Sequence, residues 1–172
     1  MGPASKVTDT MTTVLLLNGP NLDLLGKRNP GVYGSSTLAD VELSARRVGS
    51  ELGIQVETSK TNSEGGMVDE IHRAGELDGL IINPGAYGHY SLAIRDAIEA
   101  VAVPCVEVHI SNIYAREQFR HTSVISPVVK GVICGLGVHG YELALRALAD
   151  LLLDKGAAGP RGLPRRQGTF LR

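Results

Sequence analysis

Cysteine is nearly missing from this 172-residue chain: Cys105 and Cys134 are the two present, and neither sits in a CxxC or Cys/His spacing. No thiolate metal motif is available, and a reduced cytoplasmic protein is the simplest reading. Charge of one sign is missing too. Seventeen basic against eighteen acidic residues leave a formal net charge of -1, which offers no electrostatic footprint for a nucleic acid. Apolar runs stop far short of a membrane span, and no signal peptide opens the chain. Internal repeats are lacking as well, and the length suits about one domain. Hydrophobic residues at 43% and charged ones at 20% fit an ordinary globule with a core of its own.

What is present is an alternation of strand and helix signals. "TTVLLL" (Thr12–Leu17) is a short apolar run of the kind buried on both faces of a sheet. Thr37-x-x-Asp40 forms a capping box ahead of Leu38, Val41, Val48 and Leu52 at helical spacing. "IQVETSKTN" predicts a second strand and "GMVDEIHRAGEL" a second helix. "GLIINPG" (Gly79–Gly85) is a third strand, followed by "SLAIRDAIEAV", a helix with Ser91 as its N-cap. "PCVEVHISN" and "GVICGLG" are strands four and five, and "YELALRALADLLLDKG" is a last helix, apolar on more than one face and stopped at Gly156. Five strands alternating with helices predict an α/β protein, a parallel sheet covered on both sides. That body spans residues 12–156. The polar opening 1–11 reads as a disordered extension, with Met11 available as an alternative start, and 157–172 as a flexible tail.

Ligands in such sheets sit beyond the carboxyl ends of the strands, where the strand order switches. Here strand one ends in Asn18–Gly19–Pro20–Asn21, strand three in Asn83–Pro84–Gly85 and strand four in Glu107, His109, Ser111 and Asn112. The polar residues gather where the fold would put a site. Between strand one and the first helix runs a connection of roughly seventeen residues containing Arg28 and Tyr33, against a usual length of about four to six, and such loops are functional or disordered.

Two glycine patterns are decoys. "GLGVHG" (Gly135, Gly137, Gly140) matches G-x-G-x-x-G, but no further strand with an acidic end follows it; it reads as a tight strand-to-helix turn. "GPNLDLLGKR" has six residues between its glycines and lacks the Lys-Ser/Thr of a phosphate loop.

Four blocks, "NGPNLDLLGKRNPGVYG", "NPGAYGHYSLAIRDA", "VEVHISNIYAREQFRHTS" and "GLGVHGYELAL", resemble the type II 3-dehydroquinate dehydratases, in order, from about Val14 to Leu152. The resemblance implies a flavodoxin-like fold, a doubly wound five-stranded parallel sheet in three layers. It also implies a hydro-lyase that takes water from 3-dehydroquinate to give 3-dehydroshikimate without metal or organic cofactor. That reaction serves the shikimate pathway of aromatic amino-acid biosynthesis or quinate breakdown. The family assembles as a homo-dodecamer, a tetramer of trimers, with no nucleic-acid or membrane partner.

Losing water beta to a ketone needs a base for the alpha proton, a donor for the enolate oxygen and an acid for the departing hydroxyl. A carboxylated polyol also needs amide N–H groups and Arg forks. By the resemblance, Tyr33 is the base. Its pKa, ordinarily near 10, must be brought down by positive charge, and Arg28, matching the lid arginine, would supply that charge as the loop closes over the site. His109 matches the general acid; Glu107, two positions earlier on the same strand face, would orient its imidazole. Asn21 matches the residue holding a water at the enolate oxygen, and Asn83 a substrate contact that also positions His109. His89 and Arg120 match contacts to substrate hydroxyls. Ile110 and Ser111 match the backbone N–H pair that takes the carboxylate, and Asp96 a residue that reaches a neighbouring subunit's site. Arg116 also matches a family arginine and reads as structural. Two positions depart from the pattern. Asn29 stands where Glu usually follows the lid arginine, and Gly88 where Thr commonly precedes the histidine, which predicts altered lid mobility and a looser His89.

Rival chemistries find little here. The lysines, Lys6, Lys27, Lys60, Lys130 and Lys155, avoid the apolar strand ends where an imine-forming lysine would be desolvated. The histidines are spread singly, unlike metal ligands. A receiver module would want an acidic residue ending strand three, where Asn83 stands. A flavin binder would want a Ser/Thr-rich loop after strand one.

Overall fold

The computed structural model describes residues 11–27 and 35–156, with side chains to 153. Arg28, Asn29 and Tyr33, and the terminal segments 1–10 and 157–172, lie outside the described residues.

Five strands, β1 (Thr12–Asn18), β2 (Ile54–Lys60), β3 (Gly79–Asn83), β4 (Cys105–His109) and β5 (Gly131–Cys134), form one parallel sheet in the order β2-β1-β3-β4-β5. Between the first four run α1 (Leu38–Glu51), α2 (Glu64–Ala74) and α3 (Leu92–Ala100), and α4 (His139–Gly156) follows β5. Side chains alternate across the strands, so the inner strands β1, β3 and β4 feed two cores. Val14, Leu16, Ile81, Val106 and Val108 pack under Val41, Ala45 and Val48 of α1 and Tyr141, Leu145 and Leu148 of α4. Leu15, Leu17, Leu80 and Ile82 face Met67 and Ile71 of α2 and Ile94, Ala97 and Ile98 of α3. This is the flavodoxin-like, three-layer arrangement expected, and it explains why β1 and β3 read as unbroken apolar runs.

The helix starts follow local chemistry. Thr37 and Asp40 make the reciprocal capping box: the Thr37 hydroxyl accepts from the Asp40 N–H, and the Asp40 carboxylate accepts from the Thr37 N–H. Ser63 and Ser91 cap α2 and α3 from one side only, each hydroxyl accepting from the N–H three residues on. β3 ends two residues earlier than the expected strand. Pro84 brings no N–H to a ladder, and a short 3-10 turn, Gly85–His89, follows it.

The chain leaves β1 toward β2 on one side and returns to β3 on the other, so the switch in strand order lies between β1 and β3. Asn18 and Asn83 sit opposite one another there. Gly19 N–H donates to the Asn83 carbonyl at 2.8 Å. A Cβ on Gly19 would lie 2.6 Å from the Pro84 carbonyl oxygen, so only glycine lets the two strand ends meet backbone to backbone.

Candidate active site

A cleft with about 180 Å³ of accessible space opens at the carboxyl ends of β1, β3 and β4, lined among others by Asn21, Asn83, His89, His109, Ile110 and Ser111. Arg116 and Arg120 complete its cationic wall. Of the residues singled out from the sequence, these come together. Glu107 stands directly behind His109. Asp96 does not join them: it is exposed on α3, on the face away from buried Ile94, Ala97 and Ile98.

The pair on β4 is the chemical centre. Glu107 is fully buried and His109 nearly so, and His109 Nε2 lies 2.6 Å from Glu107 Oε1. Burial works against ionising Glu107. Hydrogen bonds from His109, Ser126 and Ser123 outweigh it and hold the carboxyl below its usual range. An ionised carboxylate only accepts, so the Nε2 of His109 carries a proton and its Nδ1 remains to work.

His89 is held differently. Its Nδ1 lies 2.8 Å from the Thr122 carbonyl oxygen, which can only accept, so Nδ1 is the protonated nitrogen and Nε2 an acceptor. Burial, and then the neighbouring His109 and Arg120, push its pKa down, and the two rings stack 5.9 Å apart. The looser His89 expected from Gly88 is not what the structure has. The Gly88 carbonyl accepts from Val124 N–H at 2.8 Å. A Cβ at position 88 would come 2.7 Å from Pro84 Cγ, so glycine here closes the packing.

The floor of the cleft also differs from expectation. Asn83 does not reach His109: its Nδ2 donates to the Tyr141 hydroxyl at 2.7 Å, and that hydroxyl donates to Asn18 Oδ1 at 2.8 Å. Its Oδ1 accepts from the Gly85 N–H. Tyr141, on α4, had no sequence signal beyond an apolar helix, and complete burial pushes its phenol pKa up, so it stays a neutral link.

Asn21 takes the left-handed conformation, with φ at 66°, which Asn tolerates better than most residues. Its N–H is tied to Asn62 Oδ1 at 3.0 Å. A 3-10 turn at Leu22–Leu24 follows, so the long connection is partly ordered, with Leu22 and Leu25 buried along the cleft. Ile110 is fixed at its carbonyl by Gly137 N–H at 3.0 Å. The glycine-rich "GLGVHG" segment is thus the turn between β5 and α4 that anchors the end of β4. Arg120 Nε donates to Glu117 Oε2 at 2.8 Å, and Arg116, read from sequence as structural, lines the cleft beside it. No three His, Cys, Asp or Glu side chains converge to hold a metal among the described residues. No helix among them is long and apolar enough to cross a membrane.

Residues 12–149 match the family described as Dehydroquinase class II. The chain is 58% identical over 142 residues to a 3-dehydroquinate dehydratase of a Chelativorans species, covering 81% of this chain and 98% of that one. It is 54% identical over 139 residues to 3-dehydroquinate dehydratase 1 of Agrobacterium fabrum, covering 80% and 96%. The solved type II dehydroquinase from Propionibacterium acnes superposes with a TM-score of 0.78 at 50% identity, over 81% of this chain and 97% of that one.

Proposed function

The chain belongs to the class II dehydroquinase family, and on that premise we propose how its cleft removes water from 3-dehydroquinate. The protein is a 3-dehydroquinate dehydratase, a hydro-lyase whose reaction serves the shikimate pathway or quinate breakdown. Tyr33 takes the alpha proton, its hydroxyl made acidic by Arg28. Asn21 holds a water at the enolate oxygen. His109 Nδ1 passes its proton to the departing hydroxyl, leaving a neutral ring that still bonds Glu107 through Nε2. Ile110 and Ser111 receive the substrate carboxylate. His89, offering Nε2 as an acceptor, and Arg120 as a donor take the hydroxyls. The observation that carries the acid assignment is the buried Glu107–His109 pair opening on the cleft at 2.6 Å.

The test is incubation of the protein with 3-dehydroquinate while following the ultraviolet absorbance of the conjugated enone. Steady growth is expected; a flat trace from folded protein overturns the reading.

We further propose that the protein works in the cytoplasm as a dodecamer of four trimers, with Asp96 completing a neighbour's site. Leu92 and Asp96, one helical turn apart, share an exposed face of α3, and Tyr90 beside them is exposed as well. A second copy of the chain would cover these apolar groups and bring the carboxylate to its cleft. Tyr33→Phe and Asp96→Ala proteins should each be weak alone. Unfolded and reassembled together, they should exceed the sum of the parents, because some sites regain both groups. Mixed oligomers without any recovery would return Asp96 to the solvated surface.

A further inference from the structure

The stretch Thr122–Ser126, between β4 and β5, reaches one imidazole of the cleft and the carboxylate behind the other without lining the cleft itself. Thr122 contributes the carbonyl that fixes His89. Val124 N–H grips the Gly88 carbonyl, and the Val124 carbonyl accepts from Arg95 Nη1 at 2.9 Å. Ile125, fully buried, anchors the stretch in the core against α2 and α3. The two serines turn inward. Ser123 Oγ donates to Glu107 Oε1 at 2.7 Å and Ser126 Oγ to Glu107 Oε2 at 2.6 Å. Ser123 Oγ also accepts from the Ser126 N–H at 3.2 Å, which turns its own proton toward the carboxylate.

We propose that Ser123 and Ser126 are positioning residues for the elimination: together they fix the Glu107 carboxylate against His109 Nε2 and so aim His109 Nδ1 into the cleft. The inference rests on His109 being the acid.

The physical case is that a buried carboxylate needs its lone pairs satisfied to remain an anion. Glu107 has three donors, one on the ring and two on the serines. The imidazole alone would leave Oε2 without a bond, and the carboxylate free to turn about its last torsion, a broad and soft one. With Oε1 and Oε2 each held by a hydroxyl, the acceptor plane is set and the ring follows it. The other titratable groups facing Glu107 are Cys105, on the same strand, and His89, from the turn after β3. Burial and then the Glu107 charge push the Cys105 thiol pKa up, so it stays neutral, and His89 is engaged by Thr122.

The experiment uses the full chain with alanine at 123, at 126 and at both, beside His109→Ala, with kcat and KM for 3-dehydroquinate measured across pH. Neither serine lines the cleft, so KM should stay within about twofold. A positioning loss of this size lowers kcat about tenfold for each serine. With fewer bonds to its anion, Glu107 protonates more readily, so the acid limb of the kcat profile should move to higher pH. Ser126→Thr, which keeps the hydroxyl, should recover most of kcat. A purely structural role predicts instead a lower melting temperature with a kcat profile superimposable on the parent's, and that result overturns the proposal; the single variants decide it if the double one does not fold. Should His109→Ala keep parental kcat, the acid assignment itself falls. Should it lose turnover while the serine variants keep theirs, only the present inference falls.

Discussion

His109→Ala should lower kcat by about three orders of magnitude, the middle of the range a positioned general acid supplies, with KM changed little. The departing hydroxyl is a poor leaving group unless protonated as its bond breaks, and the cleft's other imidazole is oriented to accept. His89 donates Nδ1–H to Thr122 and has its pKa depressed, chiefly by burial. The substitution also tests the coupling behind the site. Glu107 would keep its serine bonds but lose the 2.6 Å contact to His109. A bond to a charged group contributes about 1.5–3 kcal/mol, so a loss of stability of this order is expected by denaturant titration. Its pH dependence has a definite sign. The Glu107 pKa is depressed in the folded protein. The stabilisation is therefore fully present above the ordinary glutamate value, about 4.3, and is lost as pH falls through the folded value. In His109→Ala that acid-side loss should shrink. Normal turnover in the variant would remove His109 from the mechanism.

Tyr33→Phe should be as damaging, reducing kcat about a thousandfold or more, because it deletes the atom that takes the alpha proton and little else. Binding of 3-dehydroquinate, read by calorimetry on the inactive protein, should stay within a few fold, since the carboxylate and hydroxyl contacts are made elsewhere. The strongest competitor for the base among the described residues is His89 Nε2. It is poorly suited, since burial and the neighbouring His109 and Arg120 lower its affinity for a proton. If Tyr33→Phe turns over near normally while His89→Ala does not, the base is His89 and the long loop has another task.

Much of the site was legible before the fold. Glu107 and His109 lie two apart on a strand, and a period of two puts both on one face; the structure has them in contact. Asn18 and Asn83 end neighbouring strands, which the switch-point rule anticipates. The capping box at Thr37 needs no more than a four-residue window. What escaped notice shares a different property. Ser123 and Ser126 lie 16 and 19 positions from Glu107, in an irregular stretch with no periodicity to reveal which way a side chain turns. Tyr141 meets Asn18 across 123 positions. Arg116 matched a family arginine and read as structural, and the chain places it in the lining of the cleft.

The sequence by itself determined the layers, the sheet's parallel character and the strand ends that bear the chemistry, because hydrophobic period, capping and turn residues act over a few residues and need no partner at a distance. Only the tertiary structure decided where the amide of Asn83 goes, which nitrogen of each imidazole faces the cleft, and which hydroxyls hold Glu107. Those choices depend on donors and acceptors brought together from distant segments. In a buried place each polar atom must find a partner, and which partner it finds is settled only once the sheet and its turns have closed around it.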